Sequence, residues 1–289
     1  MKKIVITGGN GFIASLVNEA LHDTMEIVSL TRKDLDLGDI EAVSKWFTEH
    51  DYDYVFHTGA MAQTADCENY PELTHRINVE CTQEIAKACQ DKKARLIFIS
   101  TEQCFNGKTE AGPFHEDTPL CSVTAYGNHK VECERFITSM LDSYVILRFS
   151  WMLGMSRPGI KASPNIIRNV MNAVFYQQPT KFTVNEIRGM TYAQKLADVF
   201  DKILKLPTGI YHVSDTNTHN TYESAKIVAQ KLGCTQEQID AYILPNHERY
   251  ADRFRDYRLH TDKLKAHGID FGSFEENVDA CLKDFGWMK

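Results

Sequence analysis

Lys2-Lys3-Ile4-Val5-Ile6-Thr7-Gly8-Gly9-Asn10-Gly11-Phe12-Ile13-Ala14 is the stretch whose reading decides the fold. Ile4, Val5 and Ile6 form a β-branched apolar run, which suits a central parallel strand covered on both faces. Gly8, Gly9 and Gly11 let the backbone turn sharply and approach a ligand closely. The helix expected from Phe12 to His22 would present unpaired N–H groups and a positive dipole end, a natural seat for a pyrophosphate. A strand, a glycine turn and a helix in this order are the context that a dinucleotide site requires.

Working outward, Glu26–Leu30, Tyr54–His57, Leu96–Ile99 and Tyr144–Arg148 read as further strands. Ile40–Glu49, a long amphipathic Pro71–Lys92 and Ala125–Met140 read as the helices between them. Strands alternating with helices over short connections predict a doubly wound α/β fold with a parallel sheet. Past Trp151 the pattern loosens into helices at Asn165–Tyr176, Tyr192–Leu204, Tyr222–Leu232, Thr261–His267 and Ser273–Phe285, with a short strand at Ile210–Val213. The expected organisation is therefore a dinucleotide-binding domain over residues 1–150 and a smaller C-terminal substrate-binding lobe over 151–289. Segments at about 190–213 are expected to return to the first domain. The turn-rich loop Asn106–Cys121 suits a rim over an active site.

The 289 residues are 43% apolar with a net charge of −7, enough for a large core and contrary to the basic face of a nucleic-acid binder. No apolar run approaches the roughly 20 residues needed to span a bilayer, and the N-terminus reads as a strand rather than a signal peptide. The eight cysteines contain no C-x-x-C pair, which favours reduced thiols and a cytoplasmic protein. The histidines show no H-E-x-x-H or similar spacing, so no catalytic metal is expected.

Position-specific expectations follow from the strand ends. A site selecting NAD carries an acidic residue about 20 positions past the glycine loop, on the ribose 2′-hydroxyl. Here the second strand ends in Thr31-Arg32-Lys33; an arginine there can hold a 2′-phosphate, so NADP(H) is favoured over NAD(H). A solvated Arg-Lys pair is the competing reading. Asp36 and Leu37 open the next connection, where an adenine edge can be read. Thr58-Gly59-Ala60 is a run of small residues at a strand's carboxyl end, leaving room for a ligand. Asn78 is either a surface polar residue or a support for the catalytic groups.

Tyr126 and Lys130 stand four residues apart, on one face of a helix. A free phenol has a pKa of about 10, and a neighbouring ammonium is expected to lower it. Tyr126 would then exchange a proton with a carbonyl oxygen, tuned by Lys130, which can also hold a nicotinamide ribose. Thr101, beside Ser100 at the fourth strand's end, can hydrogen-bond the same oxygen.

Thr7-Gly8-Gly9-Asn10-Gly11-Phe12-Ile13-Ala14 with Tyr126-x-x-x-Lys130 resembles an extended short-chain dehydrogenase/reductase, and more closely the dTDP-4-dehydrorhamnose reductase family. Carrying the likeness are Leu35-Asp36-Leu37-Gly38-Asp39, Pro71-Glu72-Leu73 with Ile77-Asn78-Val79, Phe98-Ile99-Ser100-Thr101-Glu102, Pro113-Phe114-His115-Glu116-Asp117, Ala125-Tyr126-Gly127 and Leu147-Arg148-Phe149-Ser150-Trp151. Arg253-Phe254-Arg255-Asp256-Tyr257-Arg258-Leu259 resembles a late Arg-Pro-x-Asn-Ser-x-Leu segment. The resemblance implies a Rossmann-type fold and an NADP(H)- or NAD(H)-dependent reduction of a 4-keto group on a nucleotide-activated 6-deoxy sugar. It makes Thr101, Tyr126 and Lys130 catalytic. It also makes Gly8, Asn10, Gly11, Phe12, Ile13 and Ser100 cofactor-binding, with Tyr126 and Lys130 touching the cofactor too. Trp151, Asn165 and Arg253 would face the sugar nucleotide. It further implies a homodimer through the helices at Pro71–Lys92 and Ala125–Met140; the alternative is a monomer whose helices simply cover the sheet.

The departures lie mostly in the second half. Ser-Thr-Asp of the family is Ser100-Thr101-Glu102 here, its third loop glycine is Ala14, and Asp-Gln-x-Gly-x-Pro-Thr survives only as Glu186-Ile187-Arg188-Gly189-Met190-Thr191. Hydride chemistry is expected to be kept while the sugar recognised differs. Two other readings stay open: an epimerase or dehydratase on the same scaffold, and a non-catalytic cofactor-binding regulatory subunit.

Overall fold

The computed structural model describes residues 1–287. In chain order the elements are β1 Lys3–Thr7, α1 Phe12–Leu21, β2 Glu26–Leu30, α2 Ile40–Glu49, β3 Tyr54–His57, α3 Thr64–Asn69, α4 Pro71–His75, α5 Cys81–Lys92, β4 Arg95–Thr101, α6 Ala125–Met140 and β5 Tyr144–Phe149. There follow β6 Trp151–Leu153, α7 Ile166–Phe175, β7 Thr180–Thr183, β8 Glu186–Ile187, β9 Met190–Tyr192, α8 Ala193–Asp198, α9 Phe200–Ile203 and β10 Gly209–Val213. The chain ends through α10 Thr221–Lys231, α11 Gln236–Tyr242, β11 Ile243–Asn246, β12 Arg255–Asp256, α12 Asp262–Lys265 and α13 Phe274–Asp284. None of the described helices is long and apolar enough to cross a membrane.

The central sheet has six strands in the order β10-β5-β4-β3-β1-β2. Strand β1 pairs in parallel with both β2 and β3, and β3 pairs in parallel with β4. This is the doubly wound α/β architecture expected from the alternation of strands and helices. The register places Thr7 opposite Leu30 on one side and His57 on the other. Three strands therefore end level, and the segments after them, starting at Gly8, Thr31 and Thr58, leave the sheet together.

The chain forms two compact units. The first comprises Met1–Lys108, Asp117–Arg148 and Ala197–Tyr211. Its core is built from Val5, Val55, Leu96 and Phe98 on strands, with Val43, Phe47, Ile85, Cys89 and Ile137 from the covering helices. Phe200 of α9 packs on Phe56, ring centroids 4.5 Å apart. The second unit comprises Thr109–Glu116, Phe149–Leu196 and His212–Lys289, of which the structure describes residues up to 287. Its core gathers Ile166, Ile167 and Val170 of α7 with Val228, Phe274 and Val278 of α10 and α13. Two-stranded parallel pairs β11–β7, β12–β8 and β6–β9 support it.

Two local features depart from the expected elements. Thr109–Glu116 belongs to the second unit rather than to a domain running unbroken over 1–150. The reason is a backbone pairing: Phe114 N–H donates to the Arg258 carbonyl at 2.9 Å, and His260 N–H donates back to the Phe114 carbonyl at 2.7 Å. The single helix expected over Pro71–Lys92 is interrupted by a π-helical turn at Arg76–Glu80. Such widened turns are frequent at functional sites; Asn78, 1% exposed, lies within this one.

Candidate active site

A cavity of about 290 Å³ opens at the level strand ends of the first unit. Gly8, Asn10, Thr31, Arg32, Asp36, Leu37, Gly59 and Ala60 line it, together with Leu30, Leu35, Met61, Leu73 and Ile77. Its apolar half and polar rim suit the adenosine end of a dinucleotide. The walls are close-fitting. Gly8 has φ +66°, and a Cβ on it would lie 2.9 Å from the Gly59 Cα; a Cβ on Gly59 would lie 2.3 Å from the Leu37 Cδ1. Gly9 serves the sheet instead, donating to the Leu30 carbonyl at 2.8 Å.

Helix α1 starts at Gly11 with no side-chain cap and no acidic residue in its first turn. Its leading N–H groups and positive dipole end are therefore left for an anion. Of the residues expected to line the pyrophosphate, Phe12 is 8% exposed and packs in the core, so its contribution is its backbone. Thr31 does not offer its hydroxyl to the cavity: that group donates to Asp34 Oδ2 at 2.7 Å, and Thr31 N–H donates to the same oxygen at 2.9 Å. These two bonds hold the Asp34 carboxyl below its ordinary range. Arg32 is exposed on the rim. An uncapped helix start, a positive-φ glycine turn and a cation at the end of β2 together fit a dinucleotide carrying a 2′-phosphate.

Behind the cavity wall a hydrogen-bond chain fixes the loop after β3. Thr82 Oγ1 donates to the Asn78 carbonyl at 2.7 Å, so it accepts from His57 Nε2 at 2.9 Å. His57 Nδ1 then accepts from Thr7 Oγ1 at 2.7 Å, and Thr7 Oγ1 in turn accepts from the N–H groups of Thr58 and Gly59 at 3.2 Å. Thr58 Oγ1 donates to the Thr7 carbonyl at 2.7 Å, so this hydroxyl holds the chain rather than a ligand. Burial, reinforced by Lys130, pushes His57 down to about 3, which keeps it neutral in this chain.

Tyr126 and Lys130 do share a face of α6. The Lys130 Nζ lies 5.8 Å from the Tyr126 ring centroid and 4.5 Å from that of Phe98, and it donates to the Ile99 carbonyl at 2.8 Å. The expected lowering of the Tyr126 pKa is not what the structure gives. Although solvent reaches part of its surface, burial pushes the phenol up, and Cys104 and Glu102 push it the same way. The ammonium gives one hydrogen bond to the Ile99 carbonyl, and burial pushes Lys130 itself down. The net push on Tyr126 is toward its neutral phenol form.

Thr101 is 8% exposed and caps a short 3₁₀ turn at Glu102–Phe105 by accepting from Gln103 N–H at 3.2 Å. Ser100 lies deeper. It is 1% exposed and its hydroxyl donates to Glu134, whose carboxylate is paired with Arg148 at 2.7 Å. The expectation that Ser100 contacts a cofactor through its side chain is corrected by that bond: the hydroxyl belongs to a buried ion pair.

In the second unit, Trp151 donates its indole N–H to the Pro164 carbonyl at 2.9 Å, leaving the ring face to the Arg188 guanidinium, 5.8 Å from the centroid. Arg188 also lies 5.5 Å from the Tyr257 ring and pairs with Glu186 at 2.6 Å. Nothing in the sequence singles out Arg188; the departure of its segment from the family pattern is the one available sign. Asn165 is corrected as a substrate-facing residue. Its Oδ1 accepts from Arg168 N–H at 3.1 Å as the cap of α7, and its Nδ2 donates to the Gly154 and Ser163 carbonyls at 2.7 and 2.9 Å. Arg253 is half-buried, its carbonyl accepting from Arg255 at 3.1 Å.

Comparison with known proteins gives the same answer across the chain. The spore coat polysaccharide biosynthesis protein SpsK of Bacillus subtilis is 27% identical over 234 residues, covering 81% of this chain and 80% of that protein. The dTDP-4-dehydrorhamnose reductase of Streptomyces griseus is 28% identical over 278 residues, covering 92% of this chain and 88% of that protein. The crystal structure of dTDP-4-dehydrorhamnose reductase from Bacillus anthracis in complex with NADP superposes with a TM-score of 0.85 at 24% identity, covering 98% and 99% of the two chains. The family model described as RmlD substrate binding domain matches residues 1–286, and the chain belongs to that family, the dTDP-4-dehydrorhamnose reductases, as an oxidoreductase of the extended short-chain dehydrogenase/reductase type.

Proposed function

We propose that the chain is an NADPH-dependent reductase of a nucleotide-activated 4-keto-6-deoxy sugar. The observation that carries this reading is Tyr126, a half-buried phenol one helical turn from Lys130, whose Nζ lies 5.8 Å from its ring, in the same unit as a cavity that fits a dinucleotide. The name of the Bacillus anthracis enzyme and its NADP complex support the choice of substrate class and cofactor. Gly8, Asn10 and the first N–H groups of α1 hold the pyrophosphate, Asp36, Leu37 and Gly59 border the adenosine, and Arg32 takes the 2′-phosphate. When bound, NADPH supplies the hydride.

The residues of the chain do the rest. Tyr126 donates its proton to the carbonyl oxygen as that oxygen gains charge, a general-acid step matched to a phenol that is neutral before the reaction. Lys130, anchored on Ile99, keeps a positive charge behind the phenol and stabilises the phenolate left after transfer. Thr101, at the end of β4, is assigned to the same oxygen. Trp151, Arg188 and Arg253 are assigned to the sugar nucleotide, because a guanidinium fork bonds two diphosphate oxygens at once and an indole face packs on a sugar ring. Asn165 is left out of this set, since its amide is fully engaged.

Tyr126→Phe tests the reading. The expected result is loss of at least about a hundredfold in kcat, the low end of what a positioned acid contributes, with the NADPH dissociation constant unchanged. Stoichiometric NADP⁺ formation with a 4-keto-6-deoxy nucleotide sugar distinguishes a reductase from an enzyme that returns the hydride. Normal turnover in Tyr126→Phe would remove the assigned acid.

A further inference from the structure

We propose that His129 is a positioning residue: its neutral imidazole, acting through Asn78, holds the Gly59–Met61 segment in the shape that lines the cavity, and proton uptake by His129 releases that segment. The consequence for cofactor binding rests on the reading of the cavity given above.

The Asn78 amide can adopt only one orientation. Its Oδ1 accepts from Met61 N–H at 2.8 Å and its Nδ2 donates to the Met61 carbonyl at 2.9 Å. Exchanging oxygen and nitrogen would set donor against donor and acceptor against acceptor. The second hydrogen of Nδ2 therefore has to go elsewhere, and His129 Nδ1 stands 3.3 Å away, closer than the Cys67 Sγ at 3.8 Å. His129 Nδ1 must offer a lone pair, so the imidazole carries its hydrogen on Nε2. A protonated ring would place N–H against N–H. The Asn78 main chain is held in place, its carbonyl accepting from Thr82 Oγ1 at 2.7 Å and Cys133 Sγ at 3.1 Å, so the clash falls on its side-chain amide. The bond that can yield is the pair to Met61, and Met61 lines the cavity with Gly59 and Ala60.

The surroundings keep His129 neutral near pH 7. Burial pushes it down first, the His75 ring from α4 and Lys130 on its own helix act in the same direction, and Glu132 and Glu68 oppose them. His75 lies edge-on at 5.5 Å and itself faces the carboxylates of Glu80 and Glu132 at 3.5 and 3.3 Å. Release is thus expected below the ordinary histidine range.

The test follows Met61 amide protection, corrected for intrinsic exchange, and the His129 ring resonances by NMR in the cofactor-free chain from about pH 8 to pH 5, the span over which histidines titrate. His129→Gln keeps a carbonyl acceptor for Asn78 and cannot take up a proton. In the native chain, Met61 protection is expected to fall at least tenfold as His129 titrates, and the NADPH dissociation constant, read by fluorescence, to rise over the same range. Both should stay flat in His129→Gln. Identical pH courses in the two proteins would overturn the proposal. A second variant, His75→Gln, removes the neighbouring ring that pushes His129 down: His129 should titrate at higher pH and the Met61 transition should move with it, and a Met61 transition that stayed in place would overturn the coupling. Absence of NADPH binding at every pH would overturn the cofactor reading alone, because the Met61 measurement needs no cofactor.

Discussion

Replacing Arg32 with alanine probes the cofactor assignment at its most exposed point. Arg32 stands on the cavity rim at the end of β2, exposed, with no hydrogen bond or ion pair among the described residues. Its removal therefore leaves no buried partner behind and should not disturb folding. Nearby, Asp34 is the residue that could mimic the acidic selector of an NAD site, but its carboxylate is tied to the N–H and hydroxyl of Thr31. The side chain available at this rim to sense a 2′-substituent is accordingly a cation. A hydrogen bond to a charged group contributes about 1.5–3 kcal/mol. Two unit charges about 4 Å apart interact by about 1 kcal/mol in water and about 4 kcal/mol at the dielectric of a protein surface. A rim position lies between these limits, and about 1.5–3 kcal/mol corresponds to roughly a 10- to 150-fold change in binding.

The assay is a fluorescence titration of the native chain and Arg32→Ala with NADPH and with NADH, at low and high salt. NADPH affinity should fall by about 10- to 150-fold in the variant, with NADH affinity unchanged. The gap should shrink at high salt, since exposed charges are screened over about 8 Å at physiological ionic strength. An unaltered NADPH preference, or an equal loss for both cofactors, would refute the assignment of Arg32 to the 2′-phosphate.

The remaining predictions concern buried charges. Arg148→Met leaves the Glu134 carboxylate, 2% exposed, without its guanidinium and should cost about 3–5 kcal/mol in chemical denaturation; adding Glu134→Leu should restore most of it, because an apolar pair of similar volume replaces a buried ion pair at little net cost. A loss under about 1 kcal/mol for the single variant, the range of exposed pairs, would contradict the burial of this pair. Burial pushes the Asp215 carboxyl up to about 7 although it accepts from Met190 N–H at 2.7 Å. With a folded pKa above the unfolded one, its contribution is fully present below about pH 4 and is lost as pH rises through 7. The melting temperature of the native chain relative to Asp215→Asn should therefore fall between those limits, and a pH-independent difference would refute the shift.

Much of this was legible in the chain because it is local. The apolar run at Ile4–Ile6, the glycines behind it and the positions of the strand ends specify the cavity, and the place of Arg32 on its rim follows from simple distance past the glycine turn. Residues whose roles depend on partners far away in sequence were not legible. Ser100 reads as a ligand-facing hydroxyl until Glu134 and Arg148 are brought beneath it. Asn165 reads as a substrate contact, whereas an asparagine just before a helix is first of all a cap for it. His129 lies between Tyr126 and Lys130 and attracts no notice until the π-helical turn carries Asn78 to its ring. The strands of the second unit run to only two to four residues in β6, β7, β8, β9, β11 and β12, too short for a period of two to register.

The spacing of Tyr126 and Lys130 correctly placed both on one face of α6, yet it misjudged the sign of the phenol's shift. A spacing argument counts the ammonium and omits the competing terms. Here those terms are burial first, then the Cys104 and Glu102 side chains. Glu102, where the family pattern has aspartate, deepens the effect: its carboxylate, 3% exposed, accepts from the Thr101 hydroxyl at 3.4 Å and from Gln103 Nε2 at 3.2 Å. Thr101 thus already directs its hydrogen to a carboxylate and must turn from it to assist a substrate oxygen. In the reading proposed above, Tyr126 then supplies the proton while the Thr101 hydroxyl stays with Glu102.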